Sequence, residues 1–287
     1  ASLEPSRHIR YKGEDIQEGE KLLETGDKLL AHQITLLASQ GRSHVKVFKK
    51  PKIAIFASGS ELKMHFETLS TNQIYNTNAP TFTARATELG CQVDFIGTSS
   101  DSLENLQEHI QNALEADLII TSGGVSVGDA DFTKEAFESF GCEFFFEKID
   151  IKPGKPTTFG KVRNTLILNL PGNPLAAALN FELFAQSIIL ALRGETAKYI
   201  NTIRAKIKND FSLKGGRRSL VPGFFDGEYF TPCEKFSPGM ISPLALSNAY
   251  IMIDKSTKNL SAESYVQTIG TNFCFTTKKQ VSLLSPC

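Results

Sequence analysis

Neither sign of charge is in excess in this chain: 31 Lys and Arg balance 31 Asp and Glu over 287 residues, a formal net charge of zero. That balance removes the long-range attraction that draws proteins to DNA or to an anionic membrane, while a local basic pocket stays compatible with it. No apolar run approaches bilayer length, and the polar stretch from Ala1 to Glu20 has no signal-peptide pattern, so no membrane partner is expected. Paired cysteines are lacking too. Cys91, Cys142, Cys233, Cys274 and Cys287 are scattered, odd in number and without a C-x-x-C, as expected of reduced thiols in a cytoplasmic protein. All five histidines precede residue 110 and show no metal-ligand spacing, which argues against zinc and leaves them as surface residues. Internal repeats and low-complexity tracts are absent. The chain opens at Ala1 without Met and enters structured-looking sequence directly, so a natural start further upstream is expected.

What is present divides into three textures. Residues 1–49 alternate short charged segments with one amphipathic helix candidate, Ala31 to Gln40, and hold too few apolar residues to close a core alone, so they read as a partial flanking domain. Residues 50–195 read as strand, loop and helix in alternation. The strands are Ile53 to Ala57, Val93 to Ile96, Asp117 to Thr121, Glu143 to Ile151 and Thr165 to Leu170, with helices at Thr81 to Leu89, Leu103 to Leu114, Phe132 to Phe140 and Leu175 to Leu192. Such alternation predicts an α/β fold with a mostly parallel sheet and helices on both faces. Residues 196–287 carry short strand-like runs (Ile203 to Ile207, Ser219 to Phe225, Ala249 to Ile253, Tyr265 to Ile269) between Gly, Pro, Asn and Lys, the texture of a small all-β barrel.

Open α/β sheets bind ligands beyond the carboxyl ends of their strands. After the third strand comes Thr121-Ser122-Gly123-Gly124-Val125-Ser126-Val127-Gly128-Asp129. Three glycines allow close backbone approach, three hydroxyls add donors, and a helix N-terminus follows, so the loop is suited to a phosphate. Acidic residues follow three successive strands: Glu61, then Asp101, then Asp129 and Asp131. Beside a phosphate they call for a hard cation such as Mg²⁺. Asp101 (with Glu104 three residues on) and Asp131 also fit helix N-caps, whereas Glu61 has no such role. Lys152-Pro153-Gly154-Lys155-Pro156 presents two stiffly held cations suited to an oxyanion, or a plain surface turn. In Leu170-Pro171-Gly172-Asn173-Pro174, Asn173 fits an N-cap and Pro174 the first helical position, while Pro171 and Gly172 open the sheet edge.

Together these loops resemble the molybdopterin molybdenumtransferases, the family of MoeA and the gephyrin E domain. The resemblance is carried by Ser58-Gly59-Ser60-Glu61-Leu62, Gln73 to Asn78, Thr121 to Phe132, Lys152 to Pro156 and Leu170 to Pro174. Gly13 to Ile16, Gly216-Arg217-Arg218 and Ser242 to Asn248 extend it. It implies insertion of molybdate into adenylylated molybdopterin with release of AMP, an α/β domain like that of MogA, and a homodimer built through an N-terminal region. It further implies that Glu61, Asp101 and Asp131 are the catalytic, Mg²⁺-linked carboxylates. Thr121, Ser122, Gly123, Gly124, Ser126, Gly128 and Asp129 would hold the pterin-side phosphate. Lys152, Lys155, Pro171, Gly172, Asn173 and Pro174 would line the molybdate and pterin end.

The chain departs from the family pattern at Ser60 and Ser102, where acidic or amide residues are usual, and it lacks a Ser-x-x-Asp-Gly-Tyr-Ala-like stretch. Three alternatives follow. One is a MogA-type adenylyltransferase, against which the Leu170 to Pro174 loop and the β-rich tail argue. The others are a pterin-binding scaffold and a homologue that keeps the fold without the activity.

Overall fold

A computed structural model describes residues 8–100, 102–123 and 132–271. Its first sheet contains β1 (Lys52–Ser58), β4 (Gln92–Ser99), β5 (Leu118–Ser122), β6 (Glu143–Phe146), β8 (Thr158–Val162) and β9 (Thr165–Leu170), in the order β4-β1-β5-β9-β8-β6. Two-residue strands β2 (Leu62–Lys63) and β3 (Ile74–Tyr75) pair outside it, and β7 (Ile151–Lys152) belongs to the second sheet. β4, β1, β5 and β9 run parallel, whereas β8 and β6 are joined by antiparallel pairings. The order follows from composition. Six of the seven residues of β1 and all five of β5 are buried, because helices cover both faces, while edge strand β4 leaves Phe95 exposed.

One face packs Ile53, Ile55, Leu118, Ile120 and Leu168 against α2 (Asn78–Glu88) and α5 (Pro174–Leu192). The other packs Ala54, Phe56, Ile119 and Ile167 against α3 (Leu103–Ala113) and α4 (Phe132–Ser139). At about 1.5–3 kcal/mol for each fully buried large side chain, these two layers dominate the stability of this part of the chain. Helix α5 contains a π-helical turn over Phe181–Ala185. It is long and apolar enough, by length and composition, to cross a bilayer, which corrects the reading that no segment approaches that length. Its Ala177, Phe181, Ala185 and Ile189 lie in the sheet core.

Two expectations for the strands need correction. The run from Glu143 to Ile151 is not one strand: β6 ends at Phe146, and Ile151 and Lys152 cross over to pair with the second sheet. The unforeseen β8 forms a hairpin with β9, whose turn holds Arg163 at φ +53°. Its sequence, Thr-Phe-Gly-Lys-Val, has the mixed polarity of a loop, yet Thr158, Gly160 and Val162 alternate inward.

The second sheet closes on itself: β13 (Tyr229–Pro232), β10 (Ile203–Ile207), β16 (Tyr265–Gly270), β14 (Ala249–Ile253) and β12 (Arg218–Phe225) pair in turn, and β12 also pairs with β13. Two-residue strands β11 (Phe211–Ser212) and β15 (Asn259–Leu260) pair with each other outside it. Its interior is Ala205, Ile207, Val221, Phe230 and Ile251. β7 extends the edge of β12, and Leu175, Leu179, Leu220 and Tyr250 form an apolar seam between α5 and the barrel. On the N-terminal side, α1 (Ala31–Ser39) has no buried residue. The flanking segment instead touches the body where Thr196 N donates to Gly26 O at 3.3 Å and where the Phe48 ring closes on Gly194.

Candidate functional site

Where β1, β5 and β9 end, a cleft of about 930 Å³ opens. Among the described residues it is lined by Ser58, Gly59 and Glu61 after β1, by Tyr75 to Asn78, by Ser122 and Gly123 after β5, by Gly172 to Pro174 after β9, and by Phe132. Gly239 and Ile241 reach it from the barrel. The loops converge because glycine allows it. Gly123 has φ +92°, and a Cβ there would lie 2.1 Å from the Ser58 carbonyl oxygen.

Not every expected donor faces this cleft. Thr121 is fully buried, and its hydroxyl donates to Asn169 Oδ1 at 2.7 Å, bracing β5 against β9. Thr121 is therefore a strut rather than a ligand donor. Ser122 and Gly123, by contrast, line the wall. Glu61 is exposed on the cleft and makes no ion pair among the described residues. Its carboxylate folds back over Gly59, where a Cβ would sit 2.9 Å from Oε2.

Asn173 occupies the N-cap position of α5, but its side chain makes no capping hydrogen bond. The Pro238 carbonyl takes that role, accepting from Leu175 N at 3.0 Å and more weakly from Ala176 N at 3.4 Å. Pro174 stands at the helix start as expected, and the Asn173 amide is left to the cleft. A similar exchange occurs before α2: Asn76 Oδ1, not Thr77, accepts from Ala79 N at 3.1 Å. At α3 the cap is Ser102, whose hydroxyl accepts from Asn105 N at 3.3 Å, so the capping role read for Asp101 belongs to its neighbour.

The Lys-Pro loop lies apart from the other expected residues. Lys152 lines a second, smaller cleft of about 400 Å³ with Lys214, Lys235 and Phe236, and the chain from Ser237 to Ile241 runs between the two clefts. Lys155 is exposed and lines neither. The loop is seated by Asn180 on α5, whose Nδ2 donates to the carbonyls of Pro153 (3.0 Å) and Ala176 (2.7 Å). Gly154 presses on that same amide. Asn180, Lys214 and Lys235 had no signal in the sequence, because each reaches its place through a contact between distant segments.

Asp101, Gly124, Ser126, Gly128, Asp129 and Asp131 lie outside the described residues. Among the described residues no group of three His, Cys, Asp or Glu gathers around a cation position.

Residues 54–191 match the family described as "Probable molybdopterin binding domain", and residues 204–269 match "MoeA C-terminal region (domain IV)". A molybdopterin molybdenumtransferase of Haemophilus influenzae is 36% identical over 265 residues, covering 90% of this chain and 65% of the relative. One from Staphylococcus epidermidis is 32% identical over 275 residues, covering 94% and 66% respectively. The chain thus spans just under two thirds of these relatives' length. A crystal structure of the molybdopterin biosynthesis MoeA protein from Pyrococcus horikoshii superposes with a TM-score of 0.78 at 30% identity, covering 90% of this chain and 64% of that one.

Proposed function

The chain belongs to the MoeA family of molybdopterin molybdenumtransferases, and on that premise we propose that it inserts molybdate into adenylylated molybdopterin and releases AMP. The observation that carries this reading is that one cleft is walled by both family-matched parts: Ser58, Gly123 and Gly172 from the first, Gly239 and Ile241 from the second. The match over residues 204–269 favours this activity over that of an adenylyltransferase.

Ser122, Gly123 and the residues that follow hold the phosphate of the pterin ligand, with Gly172, Asn173 and Pro174 on the adjoining loop. Lys152, on a loop seated by Asn180 in the neighbouring smaller cleft, attracts molybdate, a small oxyanion. Glu61, Asp101 and Asp131 hold Mg²⁺. The donor set is all oxygen, as this ion requires, and Glu61 offers on the cleft wall a carboxylate with no ion pair among the described residues. Bound there, Mg²⁺ offsets the charge of the phosphoanhydride. Exposed Leu30 and Ile34 on the uncovered flank of α1 support a homodimer. The free thiols of Cys91, Cys142 and Cys233 support a reducing, cytoplasmic setting.

The test is AMP release from adenylylated molybdopterin by the purified protein, with molybdate and Mg²⁺ each supplied or withheld. Release that depends on both is expected. Release indifferent to molybdate would refute the transferase reading, and absence of release would leave a ligand-binding homologue.

A further inference from the structure

Asn78 opens α2 at the cleft wall, and only 7% of its surface is exposed. Its Nδ2 donates to the Gly172 carbonyl at 2.8 Å and to Ser122 Oγ at 3.3 Å, joining the loop after β9 to the end of β5. The orientation of the amide is determined by chemistry. Gly172 O accepts and never donates, so the atom facing it must be the nitrogen. Ser122 Oγ is therefore the acceptor in its bond with Asn78, and its own proton has no partner among the described residues. A hydroxyl so engaged keeps its O–H for a ligand.

The rest of α2 fixes Asn78 in place. Residues i, i+4 and i+7 of a helix share one face, here Asn78, Phe82 and Arg85. All three meet α5 or the loop before it: Asn78 at Gly172, Phe82 stacked on Phe181 with ring centres 5.3 Å apart, and Arg85 paired with Glu182. The seam is thus apolar and ionic at depth and ends in a polar staple at the cleft.

We propose that Asn78 is a positioning residue. It holds Ser122 Oγ as an acceptor, so that Ser122 donates its proton to a phosphate oxygen of the bound ligand, and it sets the spacing of Ser122 from the Gly172 loop. The proposal rests on the pterin-phosphate reading above and adds to it the residue that orients the donor.

Dissociation constants for molybdopterin and for its dephosphorylated form, measured with the wild-type protein and with Asn78→Asp, Ser122→Ala and the double variant, test it. Asn78→Asp keeps the shape but sets a carboxylate oxygen against the Gly172 carbonyl, so the staple opens. Each single variant is expected to weaken molybdopterin binding about tenfold, a loss of ~1.4 kcal/mol. The double variant should be no weaker than the worse single one, because both changes remove the same donated proton. Binding of the dephosphorylated pterin should be unchanged. Additive losses, or equal losses for both ligands, would overturn the positioning role. Ser122→Ala removes a single oxygen and keeps the test decisive if Asn78→Asp fails to fold. Failure of the wild type to bind either pterin would instead remove the reading on which the proposal rests.

Discussion

Arg85 grips Glu182 with two prongs, Nε to Oε1 at 2.6 Å and Nη2 to Oε2 at 3.0 Å, across the seam between α2 and α5. Arg85 also reaches Glu88 Oε2 at 2.6 Å through Nη1. Burial pushes the Glu182 carboxyl above its usual range even though the guanidinium pulls it down. A carboxyl raised on folding gives its full stability below the unfolded value and loses it as pH rises through the folded one. Arg85→Ala removes the pull and leaves a buried charge alone, so the loss at neutral pH should be roughly 3–5 kcal/mol. It should shrink as the pH falls and Glu182 takes up a proton. Urea denaturation at neutral and mildly acidic pH measures it, and a loss independent of pH would mean that Glu182 is not the residue left stranded. Replacing both partners, by Arg85→Met with Glu182→Leu, should cost less than Arg85→Ala alone.

How far the sequence revealed this arrangement depended on the range of the interactions. The central parallel strands were legible because Ile53 to Ala57 and Thr165 to Leu170 are apolar runs bounded by turn residues, a local signal, whereas the mixed polarity of Thr158 to Val162 hid β8. The cleft was legible because Gly123, Gly172 and Asn173 lie in short loops at strand ends. The contacts of Asn78, which lies in a stretch that carries the resemblance, and those of Asn180 and Pro238 were not, since each acts on a partner between 27 and 94 residues away. Thr121 was misread for the same reason: its partner Asn169 lies on a strand 48 residues on.

Cysteine reactivity offers a check on the core. Burial pushes the Cys91 thiol up to about 11, Arg193 opposing without prevailing, and burial likewise pushes Cys142 up to about 11. Near neutral pH both should be almost wholly protonated and slow to alkylate, because the thiolate is the nucleophile. Mass-spectrometric mapping after iodoacetamide treatment should find both unlabelled in the native protein and labelled in denaturant. Rapid native labelling of Cys91 would show that the β4 side of the sheet opens readily.

Two glycines with similar backbones separate strain from collision. Gly123 at φ +92° has the Ser58 carbonyl where a Cβ would go, whereas Gly216 at φ +109° has open space around that position. Alanine at Gly216 should cost only the backbone strain, ~1–3 kcal/mol. At Gly123 the same change adds a steric conflict of ~1–3 kcal/mol and pushes apart the ends of β1 and β5. Thermal unfolding should rank Gly123→Ala well below Gly216→Ala, and only the former should lose pterin binding. Equal melting temperatures would mean that Ser58 yields freely and that the narrow approach does not shape the cleft.

Asn173 gives the clearest separation of stability from function. An N-cap asparagine whose side chain closes the helix normally loses about 1 kcal/mol on replacement by alanine. Here the Pro238 carbonyl already accepts from Leu175 and Ala176, and Asn173 makes no capping bond. Asn173→Ala should therefore change the unfolding free energy by less than ~0.5 kcal/mol, while the cleft loses an amide and the KM for the pterin substrate rises. Deleting the cap itself requires moving the barrel turn. Pro238→Gly should loosen that turn and destabilise α5 more than Asn173→Ala does, and denaturant titration of both variants reads the difference. If Asn173→Ala proves the more destabilising, its side chain caps the helix in solution and its availability to a ligand falls with that result.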